Sequence, residues 1–284
     1  MLTNSISCFL RENGINFRID KIDGHNVIYT DQGTPIFPIY IYAHTPSEAS
    51  ALTTDAQNVI NKIYNDCGAY PLIITEDRWY SQDQMMRSRL LAHLQIYVQI
   101  YARNCEVRKI DKATAAEFLA TNHSYGDATC RYRYGLFLRR YTGHTCDAVQ
   151  DRPQPGDLVA VATFSNGRKW IKGDKTIRSY EWTRYASLPG VRLSGGMGRI
   201  LKTFIEDVKP DDIMTYADLE WSEGKVYEAL GFEFEDTKGP VMFSVDCKTW
   251  QRTAHGKTNS IETEYRFFRN FGSNKYRLKL TDYQ

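Results

Sequence analysis

The residues best placed to do chemistry are Ser194-Gly195-Gly196-Met197-Gly198-Arg199. They precede an amphipathic run, so their backbone amides have no partner inside a helix and carry the positive end of its dipole. Glycines let an anion come against such amides with no Cβ in the way, and Arg199 adds a full positive charge. That is phosphate-binding chemistry. The spacing is neither the G-x-G-x-x-G of dinucleotide folds nor the Gly-Lys-Ser/Thr of a P-loop, so another phosphate-bearing ligand is expected. The alternative is a Gly-rich turn that only permits tight strand–helix packing.

The elements that would position this loop can be read on either side of it. Tyr180 to Tyr185 is aromatic and β-branched and reads as a strand, broken by Pro189-Gly190. Glu181, Thr183 and Tyr185 then share one face, and Tyr180, Trp182 and Arg184 the other. Met197, Ile200, Leu201, Phe204, Ile205 and Val208 form one stripe of a helix that Pro210 stops. Ile213 to Ala217 is a short strand, and Ser222 to Leu230 a second helix closed by Gly231. Glu181 is a candidate base on its strand, or a solvated neighbour of Arg184. Asp218, just past the next strand, is a second, or else a cap. His123 has a near-neutral intrinsic pKa suited to proton transfer, although a lone histidine is more often structural.

Gly196-Met197-Gly198 with Leu201, followed by Tyr227-Glu228-Ala229-Leu230-Gly231-Phe232, resembles the GNAT acyltransferase superfamily. Members carry Arg/Gln-x-x-Gly-x-Gly/Ala after their fourth strand and end a later helix with Tyr-x-x-Leu-Gly-Phe. Here Leu193 stands where Arg or Gln is expected, and Arg192 is one residue early. A closer resemblance is to a GNAT-like group of phages and mobile elements, to which the phage DNA-modification protein Mom is distantly similar. The resemblance implies a mixed α/β (α+β) fold with a largely antiparallel sheet flanked by helices and splayed near its middle. It also implies acetyl-CoA, or a related acyl-CoA, with its pyrophosphate at Ser194 to Arg199. Tyr227 would be the proton donor to the departing thiolate, and the acceptor an amine. His123 would border the acceptor cleft.

Composition sets outer limits. Hydrophobic content of 42% with 25% charged residues is ordinary for a globular protein. No apolar run approaches the ~20 residues that span a bilayer. Met1 to Gly14 lacks the basic start and apolar core of a signal peptide. Six scattered cysteines without a C-x-x-C pair argue against a zinc site and fit a reducing cytoplasm. Residues 103–184 hold 15 Lys/Arg against nine Asp/Glu, a balance of +6, whereas 205–240 hold three against eleven, −8. The first stretch favours an anionic partner. Its Arg131, Arg133, Arg139, Arg140, Arg168, Lys169 and Lys172, with Tyr132, Tyr134 and Trp170, suit a phosphate-tracking, base-stacking surface. DNA binding or modification on the same scaffold is therefore the second functional reading, although an ordinary half-exposed sheet alternates in the same way.

Three regions are expected: an α+β lobe at 1–100, the GNAT-like domain at 101–247, and a linker with a hairpin at 248–284. In the first, Ile36 to Tyr42 contains Pro38 and reads as an edge strand. Thr54 reads as the N-cap of a helix with Val59, Ile60, Ile63 and Tyr64 on one face. The strand Pro71 to Thr75 followed by Glu76-Asp77 faintly resembles restriction-type and very-short-patch-repair nucleases. Asp20, Asp23 and Asp31 would join those acids at a metal, although no Glu-x-Lys motif accompanies them and turn acids are the commoner explanation. The remaining strands of the domain are Cys105 to Ile110, Arg131 to Leu138, Leu158 to Phe164, Glu233 to Asp236 and Val241 to Val245. A long loop is expected at Arg140 to Asp157, a basic polar segment at Ser165 to Thr176, and the terminal hairpin at Glu264 to Leu280.

Overall fold

A computed structural model describes residues 1–31, 35–141, 152–256 and 264–283. The centre of the expected long loop and the end of the polar linker at 251–260 lie outside them. Contacts divide the chain into two units that do not follow chain order. One holds 1–94, 218–223 and 238–273; the other holds 95–217, 224–237 and the residues from Asn274 onward.

The first unit opens with α1 (Leu2–Glu12), β1 (Phe17–Ile22), β2 (His25–Thr30) and β3 (Pro35–Ile39). A crossover helix, α2 (Pro46–Cys67), leads to β4 (Leu72–Thr75), which pairs parallel to β3. α3 (Glu76–Ser81) and α4 (Asp83–His93) follow. Helix α2 begins eight residues before the expected Thr54. Its cap is Thr45, which accepts from the Glu48 amide at 3.2 Å, with Pro46 in the first turn. Thr54 is a helix-interior residue donating to the Ser50 carbonyl at 3.0 Å. Pro38 is not on an edge strand, because β3 lies between β2 and β4. The β2 ladder reaches only Ile36, so the missing proline N–H interrupts nothing on that side.

The second unit runs through β5 (Val98–Tyr101), β6 (Cys105–Lys109), α5 (Lys112–Asn122), β7 (Tyr132–Leu138) and β8 (Leu158–Phe164). It continues with β9 (Arg168–Lys172), β10 (Lys175–Ser187), β11 (Val191–Ser194), α6 (Gly196–Val208), β12 (Asp212–Asp218), α7 (Lys225–Ala229) and β13 (Glu233–Lys238). The chain then gives β14 (Met242–Asp246), β15 (Arg252–Ala254) and β16 (Tyr265–Arg269) to the first unit, and ends in β17 (Ser273–Lys279). The main sheet has the order β13-β17-β12-β10-β8-β7-β6, with β9 beside β10. Pairs β6–β7, β7–β8, β8–β10 and β9–β10 are antiparallel, and β10–β12 is parallel. The fold is mixed α+β. Phe164, Trp182, Ile200 and Phe204 form the centre of the core on the α6 face, while Phe118 and Leu119 of α5 pack on Val161 and Ala186.

Two sequence expectations fail for one reason: strand pairing is nonlocal. Val241 to Val245 does not close the main sheet; as β14 it pairs with β15 and β16 in a separate three-stranded sheet. The place beside β12 belongs to β17. The expected hairpin from Glu264 to Leu280 is therefore not formed, since β16 and β17 enter different sheets. Phe243, Val245, Phe268 and Phe271 join Phe37, Val59, Ile60 and Ile63 in one core, so residues 238–273 complete the N-terminal lobe. Within the basic polar segment from Ser165 to Thr176, Arg168 to Lys172 forms a strand that turns back through Gly173-Asp174 to pair with β10. No helix among the described residues is long and apolar enough to cross a membrane.

Candidate active site

The apolar stripe of α6 seats the helix on the sheet, with Phe204 stacked on Phe164 at a centroid distance of 3.9 Å. Strand β11 delivers the chain to it, held parallel to β5 by Leu193 opposite Ile100 and Ser194 opposite Tyr101. Gly195 then turns at φ +77°, a conformation that L side chains rarely adopt. The first bond of the helix runs from the Arg199 amide to the Gly195 carbonyl at 3.0 Å. The amides of Gly196, Met197 and Gly198 have no acceptor among the described residues. Arg199 is exposed just beyond them, and Arg103, also exposed, stacks on Tyr101 at 4.7 Å. Tight packing is also a fact here: a Cβ on Gly196 would lie 2.6 Å from Leu193 and 2.9 Å from the Tyr185 hydroxyl.

The second feature is a split in the sheet. Strands β10 and β12 pair only through Ser179, Tyr180 and Glu181 against Asp212, Ile213 and Met214. Both strands continue, β10 to Ser187 and β12 to Asp218, without a further backbone pair. Thr215, 1% exposed, closes the vertex by donating its hydroxyl to the Trp182 carbonyl at 3.1 Å. Beyond it β10 keeps β8 on one side and presents its other edge unpaired. A register shift between Trp182 and Arg184 inserts an extra residue at this point. The expected alternation is thereby corrected: Tyr185 packs with Trp182, ring centroids 6.1 Å apart, not on the face of Glu181.

Tyr227 stands over the vertex. Its half-buried ring packs against Trp182 (6.2 Å), Phe232 (5.8 Å) and Tyr276 (5.7 Å). Its hydroxyl lies against the Thr215 side chain, whose own hydroxyl donates to the Trp182 carbonyl. Burial pushes its pKa above the ordinary tyrosine value, and the Thr215 contact draws it only partly back. Gly224, just before α7, lies at φ +88°, and a Cβ there would meet the Tyr276 ring at 2.5 Å.

No family model matches the chain, and no curated protein does. Solved structures are similar in outline. They include the NatC complex bound to Gag peptide and CoA, at 12% identity and TM-score 0.37, covering 63% of this chain and 99% of that one. YncA, a putative acetyltransferase from Salmonella typhimurium with acetyl-CoA, matches at 12% and 0.36, covering 63% and 96%. A Bacillus subtilis acetyltransferase in complex with CoA matches at 13% and 0.32, covering 62% and 99%. All three hold CoA or acetyl-CoA. Likeness at this level assigns neither activity nor ligand to the chain.

The remaining sequence candidates are dispersed. Glu181 is the last residue of β10 paired to β12, with its amide accepted by the Ser165 hydroxyl at 2.8 Å. Its charge interacts with Arg184 and raises the pKa of Tyr216 after burial has done so. Asp218 belongs to the other unit, where it accepts from Arg78 at 3.4 Å and from the Glu220 amide at 3.0 Å. His123 caps α5 and accepts from the Tyr125 amide at 3.1 Å. The nuclease-like acids do not converge. Asp20 pairs with Arg18, Asp23 with Lys62 and Asp77 with Arg252, and Glu76 accepts from the Ile41 amide at 3.0 Å.

Two residues escaped sequence reasoning. Thr215 sits inside the expected strand Ile213 to Ala217, and nothing in its neighbours signals the split it closes. Tyr185 lies on the face opposite to the expected one, because the extra residue in β10 has no local signature. Burial, and then the nearby Cys105, raise the pKa of the Tyr185 phenol.

Proposed function

We propose that this chain is an acyl-CoA-dependent N-acyltransferase. One observation carries the reading: the unpaired edge of β10, the free amides at the start of α6 and the Tyr227 hydroxyl belong to one split in a single sheet. A pyrophosphate suits the amides of Gly196, Met197 and Gly198 and the charge of Arg199. An extended arm containing amide groups suits a strand edge whose N–H and C=O groups have lost their partner. A thioester at the end of that arm would lie toward the vertex and Tyr227. When an amine displaces the thiolate, the C–N bond forms, the C–S bond breaks, and Tyr227 supplies the proton to sulfur. Glu181, at the last paired position before the split, is the base we assign for the amine's proton. Asp218 is left out, because Arg78 and the Glu220 amide already engage it.

Calorimetry with CoA tests the binding half of this reading. Gly196→Glu has to displace Leu193 and Tyr185, so Arg199→Glu at an exposed position is the cleaner variant. Reversing that charge removes a favourable ~0.3–1 kcal/mol and adds a similar unfavourable amount. CoA affinity should therefore fall roughly three- to thirtyfold, with the unfolding midpoint kept. Equal affinity in Arg199→Glu would move the pyrophosphate away from α6.

A further inference from the structure

We infer that the β9–β10 ribbon, with the cleft at its turn, binds single-stranded nucleic acid. Every residue of β9 is exposed. The register sets Arg168, Trp170 and Lys172 on one face with Lys175, and Lys169 and Ile171 on the other. Arg168 and Lys172 are thus about 13 Å apart along the strand, with the indole midway. Trp170 is 51% and Ile171 81% exposed, a poor use of large apolar side chains unless something covers them. Arg168, Lys169 and Lys172 form no ion pair among the described residues. Gly173, at φ +61°, allows the two-residue turn that brings Lys172 opposite Lys175.

Beside that turn lies a cleft of about 760 Å³, lined by Lys172, Lys175, Lys279, Thr281 and Tyr283, with Asp174 and Asp282 as the acids. Lys175 is steadied there by the Asp282 carbonyl at 2.7 Å, and Lys279 lies over the Tyr283 ring at 5.1 Å. Cations that track a backbone, with an exposed ring between them for a base to stack on, are the needs of a single strand. The other arginines that alternate with aromatics in sequence do not meet them. Tyr134 is buried, and Tyr132 packs edge-on against Phe204 and Tyr180. Nothing in this inference depends on acyl transfer or on CoA.

Fluorescence anisotropy of a labelled oligothymidine with the full chain, titrated with salt, is the test. Three or four neutralised phosphates give a slope of log K against log salt of about −2 to −3. Trp170→Ala should weaken binding about tenfold or more and leave that slope unchanged. The double variant Arg168→Glu/Lys172→Glu should make the slope shallower by about 1.4. All three positions are solvent-facing, and far-UV circular dichroism reports whether the fold is kept. Absent binding at low salt, or Trp170→Ala binding as tightly as the parent, would overturn the inference. So would heparin or polyglutamate outcompeting oligothymidine, which would mark a general polyanion surface or an acidic protein partner.

Discussion

Tyr227→Phe is expected to lower acyl transfer while leaving CoA binding nearly unchanged. The ring keeps its contacts with Trp182, Phe232 and Tyr276, so the vertex of the split stays packed. What goes is the hydroxyl and its proton. General acid assistance is typically worth ~10²–10⁴-fold; a CoA thiolate is a fair leaving group, so the low end is expected. Because burial raises the tyrosine's pKa, the donor stays protonated across the neutral range. The parent rate should therefore show no alkaline limb from this group below about pH 10. Thr215 touches the hydroxyl but supplies no proton to sulfur, so Thr215→Val should affect turnover less than Tyr227→Phe does. The assay begins with a panel of polyamines, aminoglycosides, peptides and DNA as acceptors. An undiminished rate in Tyr227→Phe would reassign proton donation to water and reduce the tyrosine to packing.

The second large effect concerns stability of the first unit. Arg252 is nearly buried, lying over the rings of Phe268 (4.6 Å) and Phe243 (5.2 Å). It bonds both oxygens of Asp77 and, at 2.9 and 3.0 Å, both oxygens of Glu220. Asp77 is 1% exposed and Glu220 3%. Asp77→Ala leaves Arg252 with Glu220 as its one remaining carboxylate in a dry place, and Glu220 is shared with Arg78. The cost in urea unfolding should therefore approach the ~3–5 kcal/mol of a broken buried pair. Arg78 and Glu220, a further pair at 3.3 Å, cannot relocate without losing their own contact. A loss of under about 1 kcal/mol would mean that water reaches Arg252 and screens it.

The acid limb follows from the same residues. Burial alone would raise the Asp77 carboxyl, but the charge and hydrogen bonds of Arg252, with Thr75, outweigh it and hold it below the usual range. Burial raises Glu220, only partly offset by Arg252 and Arg78. Below about pH 4 Glu220 is protonated in both states and contributes no slope. There the unfolded chain binds a proton at Asp77 that the folded one still excludes, so stability falls as pH drops. Asp77→Asn should flatten the unfolding midpoint between about pH 4 and pH 2; an unchanged acid limb would put the loss elsewhere.

What could be read from the chain alone was what is encoded locally. The α6 stripe, the glycine loop before it and the Tyr227 to Phe232 ending depend on neighbours a few residues apart. Thr45 and Glu48 carry a helix-start signal of the same kind, with the acid three residues on that Thr54 lacks. The rest depends on distant partners. Arg252 and Asp77 are 175 residues apart in sequence. The strand beside β12 arrives only after the 238–273 segment has been contributed to the other unit. The extra residue in β10 changes faces without changing composition, which is why Tyr185 was misplaced. The basic character of β9 is legible in the sequence but its strand is not, because Trp170 and Ile171 put one apolar residue on each face and so give no period-two alternation.

A crystal structure of the chain with CoA tests the central claim most directly. The pyrophosphate oxygens should lie about 3 Å from the amides of Gly196, Met197 and Gly198, with the arm along the free edge of β10 and the sulfur beside the Tyr227 hydroxyl. CoA bound away from the split, or no CoA bound at millimolar concentration, would contradict it.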